Sequence, residues 1–170
     1  MKQYKTPLRY PGGKSRACKK MEPFFPDLRD YNVYYEPFLG GGSVALHITK
    51  KYPKLKIVVN DLYEPLYNFW LRLQVDGDYV HKELQQLKSR YPDRGSARGL
   101  FEDAKEKLYD LDVSDKDRAV CFYIINKCSF SGLTESSSFS EQASDANFSM
   151  RGIDKLSLIH ISEPTRPYWI

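Results

Sequence analysis

The chain has 170 residues, enough for one domain with a substantial core. Hydrophobic residues make up 41% and charged residues 28%, an ordinary balance for a soluble globular protein; no apolar run approaches the ~20 residues of a membrane span, and the start lacks the apolar centre of a secretory signal. The net charge of +4 conceals a division: Lys2, Lys5, Arg9, Lys14, Arg16, Lys19 and Lys20 stand in the first 20 residues with no acid, leaving 19 bases against 22 acids in the rest.

A basic arm on a slightly acidic body suits a polyanion or a phosphate-bearing ligand, although a charge run alone more often marks a solvated terminus. Cys18, Cys121 and Cys128 are too few and odd in number for a disulfide framework and read as free thiols in a reducing compartment. Pro7, Pro11 and Gly12-Gly13 punctuate residues 1–20 as an irregular arm. Residues 33–38 predict a short strand, Gly40 to Gly42 a turn, and Ser43 onward a helix that Pro53 ends; residues 56–60 predict a second, buried strand. Strand, glycine turn, helix, strand is a βαβ unit with parallel strands and a right-handed crossover.

Three amphipathic helical stripes follow: Leu62, Leu66, Phe69 and Leu73; Val80, Leu84, Leu87 and Tyr91; Phe101, Ala104, Leu108 and Leu111. Residues 90–99, with Pro92, Gly95 and Gly99, read as an exposed connection between them. Ser114-Asp115-Lys116-Asp117 predicts a capping box opening a fourth helix through Val120, Phe122 and Ile125 toward Lys127. Residues 134–150 are polar and Ser-rich, and read as a mobile loop or weak hairpin.

The glycine turn carries the first chemical signal. Gly40, Gly42 and Ala45 satisfy G-x-G-x-x-G/A between a predicted strand and helix, and Asp61 follows about 20 residues on, where a carboxylate can accept from ribose hydroxyls. The pattern indicates a nucleoside-containing cofactor, against the plainer reading of a glycine turn with a core-capping Asp. Glu36-Pro37 just before the turn separates the cofactors. A pyrophosphate is repelled by an extra carboxylate, whereas the sulfonium and ammonium of S-adenosylmethionine are attracted by Glu36 and the face of Phe38. The carboxylate of that cofactor needs a cation, and Lys14 is the candidate.

These segments resemble the Dam-type adenine-N6 DNA methyltransferases of bacteria and phages. Tyr10-Pro11-Gly12-Gly13-Lys14 is similar to the N-terminal aromatic-x-Gly-Gly-Lys segment, Glu36-Pro37-Phe38-Leu39-Gly40-Gly41-Gly42-Ser43-Val44 to the cofactor loop, and Asn60-Asp61-Leu62 to the Asp-containing second strand. A looser match, Phe122 to Leu133, resembles the segment that joins a helix to a DNA-recognition hairpin.

The resemblance implies an α/β chain: part of a Rossmann-like S-adenosylmethionine-dependent methyltransferase fold with a helical DNA-recognition insert. Residues 1–75 would be the arm and cofactor-binding unit, and residues 76–156 the helical target-recognition region. It implies S-adenosylmethionine as cofactor, bound by Tyr10, Gly12, Lys14, Glu36, Pro37, Phe38, Gly40, Gly42, Ser43 and Asp61. It implies double-stranded DNA as partner, met by Arg9, Arg16, Asn126, Lys127, Phe130 and Ser131, and a cytoplasmic setting in a bacterial or phage-infected cell, in restriction-modification, phage protection or replication marking. Glu135 stands where Dam carries a DNA-contacting arginine, which argues against GATC as the particular target.

The largest departure is catalytic. Adenine must leave the stack, and its delocalised amine must be held by acceptors as charge develops. The family does this with Asp-Pro-Pro-Tyr, yet no two of the ten prolines are adjacent. Arg166-Pro167-Tyr168-Trp169 is no substitute, because an arginine repels developing positive charge. The expectation is therefore no catalytic residue in these 170 and no activity from them alone. Residues 157–170 look like translated vector or adapter sequence and are expected to be a non-native tail.

Other sites are weaker. His47, His81 and His160 have no metal-ligand spacing, so no metal is expected. Gly-Gly-Lys14-Ser15 mimics the end of a phosphate loop, but Arg9 occupies the place of its first glycine. Rival readings are a non-catalytic DNA- or cofactor-binding protein, a nicotinamide-dependent reductase, and a chain with an uncovered sheet edge that is not stably folded.

Overall fold

The structure, a computed structural model, describes residues 5–132, 134 and 137–157 and the backbone of 158–160 and 168–169. Glu135 lies outside the described residues. The protein is mixed α/β and mostly helical. In chain order the elements are α1 (Cys18–Met21), β1 (Val33–Glu36), α2 (Ser43–Lys51), β2 (Lys56–Val59), α3 (Glu64–Val75), α4 (Gly77–Arg90), α5 (Arg94–Lys107), α6 (Asp115–Cys128), α7 (Glu141–Asn147), α8 (Met150–His160) and β3 (Tyr168–Trp169).

The β-branched run Ile57-Val58-Val59 makes β2 the buried strand of a small parallel sheet in the order β1-β2-β3. Val33 pairs with Lys56 and Glu36 with Val59, so both strands end level, and the chain leaves them at the same edge. Residues 157–160 continue α8, while the backbone of 168–169 lies beside Val58 and Val59.

Helix α6 is the hub of the helical part. Ser114 caps it by accepting from Asp117 N–H, as the capping signal predicts. Every residue from Ala119 to Cys128 is buried, because α3, α4, α5 and α7 pack around it. Phe69 of α3 stacks on Tyr123 with ring centroids 6.0 Å apart and meets Phe122 at 5.4 Å. One continuous hydrophobic core runs from Leu8 to Leu156 and crosses the boundary at residues 75 and 76.

Three sequence expectations fail on capping chemistry. The connection at 90–99 shrinks to residues 91–93: Asp93 and Ser96 form a reciprocal capping box that starts α5 at Arg94. The Ser-rich stretch 134–150 contains α7, whose N-cap Ser140 accepts from Ala143 N–H. Among the described residues its hairpin character is confined to a single antiparallel bridge, Ser129 with Phe139. Leu62 and Leu111 leave their stripes because α3 begins only at Glu64, with Pro65 in its first turn, and α5 ends at Lys107; the two leucines are 93% and 89% exposed.

Candidate functional site

At the C-terminal edge of β1 the basic arm folds across the glycine loop. Pro11 and Gly12 form the corner of a tight turn in which Tyr10 C=O accepts from Gly13 N–H at 2.9 Å, and Gly12 takes φ +73°. Lys14 Nζ donates back to Gly12 C=O at 2.6 Å, which leaves its other two N–H groups unclaimed by that turn. Two contacts seat the arm on the glycine loop and the start of α2. Tyr10 lies so close to Gly40 and Gly41 that a Cβ on either would stand 3.0 or 2.9 Å from it. Further on, the Ser15 hydroxyl meets the Ser43 hydroxyl at 2.9 Å.

Between arm and loop lies a hollow of about 260 Å3, lined by Tyr10, Gly12, Lys14, Glu36, Phe38, Gly40 and Ser43 among others. Glu36 supplies its negative charge. Its carboxylate accepts from the Ala45 N–H in the first turn of α2 and, at 3.4 Å, from Tyr34 Oη. Burial outweighs both bonds and pushes the carboxyl up to about 7. Phe38, 84% exposed, stands at the mouth.

Asp61 is placed differently from the expectation. It does not line the hollow but buttresses the loop, accepting from Gly40 N–H at 2.8 Å and from Tyr63 N–H at 3.1 Å. Each carboxylate oxygen keeps a lone pair, and the residue is only half-buried. Gly42 opens α2 at φ +69°.

Trp70 supports the loop although the helical stripe Leu62, Leu66, Phe69 and Leu73 passes it by. Its indole N–H donates to Gly40 C=O at 3.1 Å, and its ring lies under Gly42. Only a Trp directly behind a glycine turn hints at this, and that adjacency is tertiary.

The second expected set divides. Arg16 and Ser131 are exposed, and Phe130 is 68% exposed on a turn where Ser131 takes φ +57°. Arg9 is half-buried and donates from Nη1 to Ser129 C=O at 2.7 Å. Asn126 and Lys127 do not face outward. They are 1% and 8% exposed, because α6 is surrounded and their polar ends turn onto the arm: Asn126 binds the main chain of Arg9, and Lys127 Nζ donates to Pro7 C=O. They hold the arm in place and do not form an outer surface. Burial lowers the Lys127 ammonium to about 8, with Arg9 and Lys155 adding repulsion.

A larger cleft of about 910 Å3 opens at the other end of the strands, between residues 22–32 and 51–55. Both of its carboxylates are already paired, Glu22 with His47 and Lys51, and Asp27 with Arg29. It offers no buried charge to a ligand, so the smaller hollow is the better candidate. Among the described residues no three metal-binding side chains come together, and none of the helices is long and apolar enough to cross a membrane. The three thiols are buried, and burial holds Cys121 up at about 12 and Cys128 at about 11, which leaves them unreactive.

The hollow thus lies between a Gly-Gly-Lys arm and a glycine loop at the end of a small parallel sheet. Residues 10–160 match the D12 class N6 adenine-specific DNA methyltransferase family, and the chain belongs to that family. It is 27% identical to the type II methyltransferase M.MjaIII of Methanocaldococcus jannaschii, over 74% of this chain and 46% of that protein. The chain thus spans about half the length of this relative.

Proposed function

We propose that the chain binds S-adenosylmethionine in the hollow between Tyr10–Lys14 and Glu36–Ser43, as the cofactor-binding part of a Rossmann-like enzyme that methylates adenine N6 in duplex DNA. The observation that carries the reading is that opposite charges line one small space: a half-buried Glu36 carboxyl and the Lys14 ammonium. A zwitterionic amino-acid group next to a sulfonium fits this arrangement. The pyrophosphate of a nicotinamide dinucleotide would face the Glu36 carboxylate, so the reductase reading fits less well.

The volume narrows the pose. At about 260 Å3 the hollow falls below the ~300–1,000 Å3 range of whole-ligand pockets. It would hold the methionine end, which leaves the exposed Phe38 and Leu62 and the half-buried Asp61 as the residues that would hold the adenosine. The bound cofactor supplies an activated methyl group on a positively charged sulfur. The chain's own residues orient it: Lys14 holds the carboxylate, Glu36 attracts the cationic centre, and Trp70 with Asp61 fixes the backbone of the loop.

Duplex DNA is met by the arm and by the Phe130–Gly132 turn. Arg16 contributes sequence-independent phosphate attraction, and Phe130 offers a face on which a displaced base can stack. No Asp-Pro-Pro-Tyr is present to hold the amine, so the 170 residues bind both ligands without transferring methyl. The test is a gel shift with an adenine-containing duplex beside a tritium-methyl assay. Binding that weakens with added salt, with no label in the DNA, is expected. Label in the DNA would refute the inactive part of the reading, and salt-insensitive or absent binding would refute the DNA part.

A further inference from the structure

Asn126 is a buried amide whose bonds all go to elements outside its own helix. Its Oδ1 accepts from Arg9 N–H at 3.0 Å, while Nδ2 donates to Arg9 C=O at 2.7 Å and to Gly132 C=O at 2.9 Å. It therefore reads both main-chain groups of one arm residue, as a neighbouring strand would, and ties that residue to the exposed turn after α6. The fit at this junction is tight. Gly132 takes φ +75°, and a Cβ there would stand 2.5 Å from Arg9 C=O. Arg9 Nη1 adds a bond to Ser129 C=O, at the base of the same turn.

The two sides of this junction are the two proposed ligand sites. Next along the arm is Tyr10, which packs on Gly40 and Gly41 and lines the hollow. Next to Gly132 in the turn are Phe130, 68% exposed, and Ser131, held at φ +57°. A non-glycine residue stays in the left-handed region only while its surroundings over-determine it. The docked arm, bonded through Asn126 and packed against Gly132, is part of the surroundings that hold the turn in this conformation.

We infer that Asn126 is a positioning residue that couples the cofactor hollow to the Phe130–Gly132 turn, so that a ligand fixing Tyr10 against the glycine loop also fixes the turn that meets DNA. The inference rests on the proposed function, and it adds that the two ligands bind with positive, reciprocal coupling. Asn126→Asp tests it. The substitution keeps the acceptor for Arg9 N–H but puts a second acceptor against two carbonyl oxygens.

Affinity for a short mixed-sequence duplex is measured by anisotropy with and without saturating S-adenosylhomocysteine. In the unsubstituted chain the ligand is expected to tighten DNA binding by about fivefold or more, and in Asn126→Asp the ratio is expected to fall to about one. A general loss of stability lowers both affinities and leaves their ratio standing, so an unchanged ratio in the variant overturns the inference. Hydrogen exchange on the unsubstituted chain decides the case if the variant does not fold. S-adenosylhomocysteine alone should slow exchange at the Phe130 amide, which is bonded to Ser138 C=O at 3.1 Å. Unchanged exchange with the ligand bound overturns the coupling alone; failure of the unsubstituted chain to bind S-adenosylhomocysteine overturns the proposed function as well.

Discussion

Gly42→Ala is expected to cost about 2–5 kcal/mol and to abolish cofactor binding. Two independent penalties meet at this position. Gly42 has φ +69°, and a side-chain-bearing residue in the left-handed region costs roughly 1–2 kcal/mol. An added Cβ would also stand 2.6 Å from Trp70 Cζ2, an inflexible ring packed against Phe69 and bonded to Gly40 C=O. Overpacking of that kind typically adds about 1–3 kcal/mol. For a chain of this size the sum lowers Tm by roughly 5–15 °C. Gly99→Ala is the matched control: Gly99 lies inside α5, has nothing within 4 Å of its would-be Cβ, and should gain about 0.5–1 kcal/mol from reduced backbone freedom. Thermal melts of the two variants moving in opposite directions are expected; melts that move together would mean that Trp70 does not support the loop.

Glu36→Gln is expected to make the protein more stable above neutral pH and unable to hold the cofactor. The Glu36 carboxyl titrates at about 7 when folded, against the ordinary 4.5 of an exposed glutamate. The folded state therefore binds more protons than the unfolded state between those values. The resulting stabilisation is complete below about pH 4.5 and is lost as pH rises through 7, to a total of roughly 3 kcal/mol. The amide keeps an acceptor for Ala45 N–H without the cost of a buried charge, so the variant should lose this slope and exceed the parent by about 1–3 kcal/mol at pH 8. Denaturant melts across pH check it. For the same reason, cofactor affinity in the parent should rise up to about tenfold per pH unit below 7, because a cationic ligand selects the ionised carboxylate. A residue that weakens the fold and serves the ligand is the usual trade at a binding site.

The parts of the site that were legible in the sequence are those whose chemistry depends on spacing along the chain. A glycine loop must follow a strand and precede a helix, and its backbone has to bend where glycine allows, so Gly40 and Gly42 announce both the βαβ unit and the hollow. The residues that hold the loop are less legible, since their direction is set by packing. Asp61 has the position of a ribose ligand, yet its carboxylate turns back to Gly40. Trp70 finds its partner in the Gly40 carbonyl, and Asn126 and Lys127, expected to face DNA, turn onto the arm because α6 is surrounded. The Ser-rich stretch misleads for a related reason. Serine favours both loops and helix N-caps, and Ser140 starts α7 because Ala143 and Phe148 have a core to enter.

S-adenosylmethionine is expected in the hollow between arm and glycine loop, and not in the larger cleft at the opposite end of the strands. Ultraviolet crosslinking of methyl-tritiated S-adenosylmethionine to the purified chain, followed by peptide mapping, tests it most directly. Label on peptides carrying Tyr10–Lys14 or Glu36–Ser43, displaced by S-adenosylhomocysteine and untouched by a nicotinamide dinucleotide, is the expected result. Label on peptides from residues 22–32 or 51–55, or label displaced by the dinucleotide, would contradict the account.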